Sequence, residues 1–351
     1  MPAHGKLITR ELTLRFLTPA FLGNAQQTAQ WRTPPIKHLL RRWWRIAWSA
    51  EHKFPNDTDH LARREAELFG SAAGDHGHRS RLRIRLSSWE DGNLKQWPQE
   101  SRVHHPEVGH AGKAVGAHLY LGYGPLQYDK ASHRTRLDHP PAIAAGEGTT
   151  LKLAYPETQA PLIDRTLALI DRFAALGGRS RNGWGSVELQ GAPTLDTLPL
   201  RPWRDCLDRT WIHAIGADDQ DRVLVWQTQP HQDWTHLMKT LAEIKIELRT
   251  AFPFTGKHHP RPERRHWLAY PVTHHPVRSW GNHRLPNSLC FKVCRHDQNT
   301  VVGLIIHLPH LPPRPDNRHA QPIPLKEVAS TWAAVHQHLD DSADLERLPT
   351  R

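Results

Sequence analysis

The chain is poor in cysteine, methionine and tyrosine, with three, two and five among its 351 residues. Cys206, Cys290 and Cys294 cannot close a disulfide framework, and no Cys-x-x-Cys pair is present, so a reducing compartment is the simplest reading. Long apolar runs are also missing. The longest, Val301 to Leu308, is far short of a bilayer span, and Met1 to Arg10 lacks the apolar stretch of a signal peptide. A cytoplasmic protein with no membrane partner is expected. There is no Gly-x-Ser-x-Gly, no dinucleotide fingerprint, and no zinc-finger or His-Glu-x-x-His spacing, so the sequence gives no signal for a hydrolase triad, a cofactor or a metal.

Acidic residues are in deficit: 46 Lys+Arg against 35 Asp+Glu leaves a net charge of +11. Such a balance makes a polyanion the first partner to consider, and 14 tryptophans supply flat faces able to stack on bases. The 27 histidines include close pairs at His76/His78, His104/His105, His258/His259 and His274/His275. None has a metal-ligand spacing, so they are read as polar surface residues replacing lysine and as RNA contacts. The carboxylates of Asp218, Asp219 and Asp221 read as a solvated turn.

Alternation of apolar residues marks a first strand from Leu7 to Phe16. Pro34-Pro35 then opens a helix with Leu39, Leu40, Trp43 and Ala47 behind and Lys37, Arg41 and Arg45 in front. Arg81, Arg83 and Arg85 alternate with Leu82, Ile84 and Leu86, which predicts a strand with one cationic face. Residues 90 to 150 read as long loops with one strand at Ala117 to Tyr123. A strand at Thr149 to Tyr155, a helix from Leu162 capped by Gly177, and a strand at Gly185 to Leu189 complete a split β-α-β pattern. After a linker at Gly191 to Pro202 a similar order recurs. Strands are expected at Trp211–Ile215, Arg222–Thr228, Ser288–Arg295 and Val301–Leu308, with helices at His231–Arg249 and Leu325–Leu339. The expected fold class is α+β, with two tandem ferredoxin-like (RRM-like) domains at 1–195 and 200–345 and long loop insertions.

Two segments combine cations with tryptophan. Gly177-Gly-Arg-Ser-Arg-Asn-Gly-Trp-Gly-Ser186 has four glycines to admit close backbone approach, with Arg179 and Arg181 for phosphates and Trp184 for stacking. Arg32-Thr-Pro-Pro-Ile-Lys-His-Leu-Leu-Arg-Arg-Trp-Trp-Arg45 holds five cations and no acid, with Trp44 at the edge of its apolar face. The alternative for both is a solvated face over core tryptophans.

These segments, with Phe16-Leu-Thr-Pro-Ala-Phe-Leu-Gly-Asn-Ala25 and Glu67-Leu-Phe-Gly-Ser71, resemble the RAMP-type first subunits of the Cmr complex, the type III-B CRISPR RNA-guided effector. Arg284-Leu-Pro-Asn-Ser-Leu289 is a weaker echo. Pro35 and His38 depart from that pattern, where a small hydroxyl residue and a glycine are usual. The resemblance implies RAMP domains, no cofactor, no metal, no catalytic residue, and a place in a ribonucleoprotein near the guide RNA 3′ end. The residues expected to bind RNA are Arg32, Lys37, Arg41, Trp44, Arg45, Gly178, Arg179, Ser180, Arg181, Asn182, Gly183 and Trp184. The partners implied are guide (CRISPR) RNA, target RNA and other RAMP subunits. Two further readings stay open: a metal-independent endoribonuclease that processes CRISPR transcripts, and a protein–protein adaptor.

Overall fold

The computed structural model describes residues 6–72, 77–109, 112–314 and 322–350; His76, of the histidine pairs above, lies outside them. Strand β1 (Leu7–Phe16) buries Leu12, Leu14 and Phe16. Helix α1 (Thr33–Glu51) begins with Pro34 and Pro35, whose missing N–H groups have no intrahelical partner to lose there. Next come α2 (Thr58–Phe69), N-capped by the Asp57 carboxylate, then β2 (Arg83–Leu86), β3 (Arg102–His105), β4 (Lys113–Gly116), α3 (Ala117–Gly122), β5 (Leu126–Asp129) and β6 (Arg134–Leu137). The first half ends with β7 (Gly148–Pro156), α4 (Ala160–Phe173) and β8 (Val187–Gln190). The second half contains β9 (Leu200–Pro202), β10 (Ile215–Ala217), β11 (Val225–Thr228), α5 (Trp234–Thr250) and α6 (Arg264–Leu268). It finishes with β12 (Leu289–Arg295), β13 (Val301–His307), α7 (Leu325–Asp340) and β14 (Leu345–Arg347).

Two four-stranded sheets organise these elements, in the orders β2-β7-β1-β8 and β12-β13-β11-β14. In each, the first strand lies between the third and fourth, every pairing is antiparallel, and a helix follows the first and third strands. This is the ferredoxin-like arrangement twice over. The second sheet is buried on both faces. Cys290, Cys294, Val302, Leu304 and Ile306 join the core of the first half, while Phe291, Val293 and Ile305 face α5 and α7.

Several expectations change. Residues 90–150 are built rather than looped, forming the hairpins β3–β4 and β5–β6 around α3. Ala117 to Gly122, most of the expected strand, is helical because the Glu100 carboxylate accepts the His118 and Leu119 N–H groups at the helix start. The expected strand at Trp211–Ile215 does not supply a strand of the second sheet. That place belongs to β14, which runs to Arg347, while Ile215–Ala217 pairs with β9 inside the expected linker. Helix α4 stops at Phe173, well before Gly177, because Lys292 Nζ from β12 donates to the carbonyls of Ile170 (3.2 Å) and Asp171. Among the described residues no helix is long and apolar enough to cross a membrane.

Candidate nucleic-acid interface

The glycine-rich loop joins α4 to β8 and lies against both sheets. The Phe291 N–H donates to Arg181 O (3.0 Å) and the Val293 N–H to Ser186 Oγ (2.8 Å), which ties the loop to β12. Its glycines serve the protein's own packing. Gly185 adopts φ +65°, and a Cβ there would sit 2.0 Å from Leu176 O; at Gly177, with φ +103°, it would meet Phe21 O at 2.8 Å. Six of the loop's ten N–H groups are likewise committed, and no two successive ones are left over. Gly178 donates to Phe21 O, Asn182 to Arg179 O, Gly183 to Ser180 O and Gly185 to Pro19 O. The Ser180 N–H donates to Gly177 O and the Ser186 N–H to Thr18 Oγ1. The expected phosphate cradle of backbone N–H groups is therefore replaced by a self-bonded turn that presents side chains.

Trp184 is 0% exposed, enclosed by Phe21, Trp97, His118 and Trp234 at ring-centroid distances of 5.2–5.9 Å. Trp44 is 1% exposed and packs on Trp48 and Phe69. Neither indole offers a face to a base, so the stacking expected of both is corrected. The apolar environment that holds these elements together takes the rings inside.

The cations divide into two groups. Arg41 and Arg45 both donate to Glu65 of α2, which is buried: Arg41 Nε at 2.9 Å, Arg41 Nη2 at 2.6 Å and Arg45 Nη2 at 2.8 Å, with a further short bond from Arg45 Nε. Burial pushes the Glu65 carboxyl up, but hydrogen bonds and charge from Arg45 and Arg41 outweigh it and hold it below the ordinary value. These two arginines brace α1 against α2. Arg32 donates to Gly23 O, closing the turn ahead of α1. A Glu65→Gln substitution leaves two guanidinium groups without their carboxylate and is expected to cost about 2 kcal/mol by thermal or urea unfolding at neutral pH. Since the folded carboxyl is the stronger acid, its contribution is complete above the unfolded value and vanishes as pH falls through the folded one. The variant and the parent should therefore converge in stability at acid pH.

The second group has no carboxylate partner. Lys37, Arg42, Arg179, Arg181, Lys245 and Arg249 form no ion pair with a described residue. Arg181 Nη1 donates to Asn287 O, and Lys245 Nζ donates to Asn182 Oδ1 at 2.7 Å. Arg179 stands exposed at φ +57° beside Gly124. Arg42 lies close enough to Arg181 and His310 to depress both. Burial, then Arg249 and Arg179, push the Lys245 ammonium down to about 7. The nearest acid, Glu107, is held by Arg265 at 2.6 Å. The fold thus brings Arg42 of α1, Arg179 and Arg181 of the loop, and Lys245 and Arg249 of α5 into one cationic seam with no carboxylate ion pair among the described residues. Lys245 and Arg249 escaped sequence reading, although their four-residue spacing on a predicted helix was a usable signal.

The described histidines divide between surface and core: ten are exposed, as expected, but eight are buried. His118, His213, His266 and His307 are 0% exposed, and His105, His259, His310 and His336 are also buried. Among the described residues no group of three His, Cys, Asp or Glu is placed to hold a metal ion.

By sequence, residues 13–188 match the family described as the RAMP superfamily. No curated protein matches the chain. Among solved structures it is similar to Cmr1 from Pyrococcus furiosus in the apo form, with 15% identity, a TM-score of 0.44, and coverage of 93% of this chain and 97% of that one. It is also similar to a chain of the type III-B Cmr-beta complex bound to cognate target RNA and AMPPnP in the presence of ssDNA, with 11% identity, a TM-score of 0.45, and coverage of 95% and 100%. A chain of the Cmr-beta complex bound to cognate target RNA gives 11% identity, a TM-score of 0.44, and coverage of 95% and 99%.

Proposed function

The chain belongs to the RAMP superfamily, and on that premise we propose that it is a non-catalytic RNA-binding subunit of a type III-B CRISPR effector. It contacts guide RNA near its 3′ end, or target RNA, through the sugar-phosphate backbone, beside other RAMP subunits. On this reading the RAMP domain that carries the glycine-rich loop occupies residues 1–195, and the second ferredoxin-like unit begins near residue 200.

The observation that carries the proposal is the seam of cations without carboxylates. A buried or half-buried positive charge is costly unless an anion meets it, and four such side chains, Arg42, Arg181, Lys245 and Arg249, converge here with the exposed Arg179. A row of phosphates supplies that anion. The loop holds its own shape by internal bonds, so Arg179 is displayed on a rigid base. Because Trp44 and Trp184 are inside, phosphate contacts rather than base stacking provide the affinity, and binding is little dependent on sequence.

Affinity for single-stranded RNA, followed by fluorescence anisotropy, should fall steeply with salt. Each phosphate contact contributes about 0.7 to the slope of log affinity against log salt. Arg42→Ala and Arg179→Ala should each weaken binding and lower that slope by about one contact, with unchanged thermal stability. A slope near zero for the parent chain, or intact binding in the double variant, would sink the proposal. Incubation with repeat RNA in EDTA separates the ribonuclease reading, which requires specific cleavage there.

A further inference from the structure

The α5 end of the seam is built differently from the rest. Lys245 and Arg249 stand one helical turn apart, and Lys245 is tied to Asn182, which in turn donates through Nδ2 to Leu121 O at 2.7 Å. Asn182 is three residues from Arg179, so loop and helix are clamped together at this point. The Tyr120 ring of α3 lies 5.8 Å from Lys245 Nζ, and its hydroxyl is buried with no hydrogen-bond partner. The Arg249 guanidinium forms no hydrogen bond or ion pair with a described residue. Arg249 and Arg179 both lie close enough to act on Lys245, which stands over the Tyr120 ring, and the one carboxylate that reaches Arg249, Glu107, is already paired with Arg265. Beyond Arg249 lie Arg265, already paired with Glu107, and His105, whose ring packs on Tyr120 at 5.4 Å.

We propose that Arg179, Lys245 and Arg249, with the Tyr120 hydroxyl, form a subsite for a single phosphate group, and that Lys245 takes up a proton when the phosphate binds. The inference deepens the RNA-binding reading above and takes one backbone phosphate as the natural occupant. A tetrahedral anion accepts from all four groups at once, which satisfies the Tyr120 O–H and neutralises the repulsion among the cations.

Proton uptake follows from the same crowding. Without an anion, burial and the neighbouring arginines push Lys245 down to about 7, so at pH 8 it is mostly neutral. A phosphate beside it favours the ammonium and raises it again. The bound state therefore holds one more proton than the free state between about pH 7 and the higher bound value. Across that window affinity falls by up to about tenfold per pH unit. The other titratable neighbours do not share the window: His105 is pushed below its ordinary value by burial, and Tyr120 is pushed above its own by burial.

Two measurements test the subsite and keep it separate from RNA binding as a whole. In the first, inorganic pyrophosphate is titrated against the full chain and thermal stability is followed at pH 7.0, 8.0 and 9.0 at constant ionic strength. Stabilisation should be largest at pH 7.0 and should disappear in Lys245→Met and Arg249→Met, each compared with its own ligand-free melting temperature so that a weakened fold is not mistaken for a lost site. In the second, RNA anisotropy is repeated over the same pH range with the parent and Lys245→Arg. The arginine stays charged, so the variant should bind at pH 7.0 within about threefold of the parent and lose the pH dependence.

The same pH slope in parent and Lys245→Arg overturns the coupling even if RNA binds well. Pyrophosphate stabilisation unaltered by both methionine variants overturns the subsite. If RNA does not bind while the pyrophosphate pattern holds, the phosphate site stands and the RNA reading falls.

Discussion

On acidification the protein should unfold cooperatively above about pH 4.5, far earlier than carboxylate protonation alone would cause. Four buried histidines are responsible. Burial holds His213, His266 and His310 at about 4 and His336 at about 3. Their hydrogen bonds explain why the neutral form is needed. His213 Nδ1 donates to Trp211 O (3.0 Å), so its Nε2 must accept from Arg201 Nη1 at 2.7 Å. His266 accepts the Glu263 N–H through Nδ1 (2.9 Å) and donates through Nε2 to His275 O (3.0 Å). His310 lies beside Arg181 and Arg42, and His336 beside Arg347 and Arg204. In the unfolded chain each imidazole takes a proton near 6.5. A folded-state value below the unfolded one means that stability is complete above 6.5 and is lost as pH falls towards the folded value. At pH 5 the loss is about 2 kcal/mol per histidine, or roughly 8 kcal/mol for four, comparable with the whole stability of an ordinary domain. Asp218 and Asp233, held at about 2 by hydrogen bonds that outweigh burial, contribute only at lower pH. Tryptophan fluorescence and circular dichroism followed between pH 8 and 3 should show one transition, shifted to lower pH in His213→Gln. A chain still fully folded at pH 4 would contradict this account.

The histidines also show where sequence reading reaches its limit. Composition reveals the excess but not where it goes, because a neutral imidazole in a core depends on partners far along the chain, such as Arg201 for His213. Long periodic elements were legible: β1, α1, α4, α5, β12, β13 and α7 follow directly from their apolar spacing. Helix α2 was missed because only Leu61, Leu68 and Phe69 are buried apolar positions among its twelve residues. Its effect on the candidate site was missed with it, since Glu65 pairs with Arg41 and Arg45. The ends of α3 and α4 are set by Glu100 and Lys292, reaching across 18 residues to His118 and 122 residues to Ile170. No local signal carries such caps. The glycine-rich loop was found for the right composition and a partly different reason. Its glycines and most of its N–H groups fold the loop on itself and leave the Arg179 side chain exposed.

Trp184 separates these two roles of the loop most sharply. Trp184→Ala is expected to destabilise the chain by about 3–5 kcal/mol, because it removes the largest side chain from a cage of four aromatic residues that cannot collapse onto the space. That cage draws Phe21 and Trp97 from the first half, His118 from α3 and Trp234 from α5, so the loss falls on the junction between the sheets rather than on one element. Trp184→Phe should cost far less. It keeps a ring in the site and removes an indole N–H that has no acceptor in the structure. Urea unfolding gives both values, and RNA binding measured well below the unfolding midpoint gives the comparison that matters. If the indole were a stacking platform, the phenylalanine variant would lose measurable affinity while remaining folded. As a core residue it should bind RNA within about twofold of the parent, whereas Arg179→Ala, five residues away, should lose affinity with its melting temperature unchanged. The flat ring and the charge that stand five residues apart in the sequence have different environments: Trp184 is enclosed between the two sheets, and Arg179 stands exposed on the turn so fixed, where the proposed phosphate contact would be made.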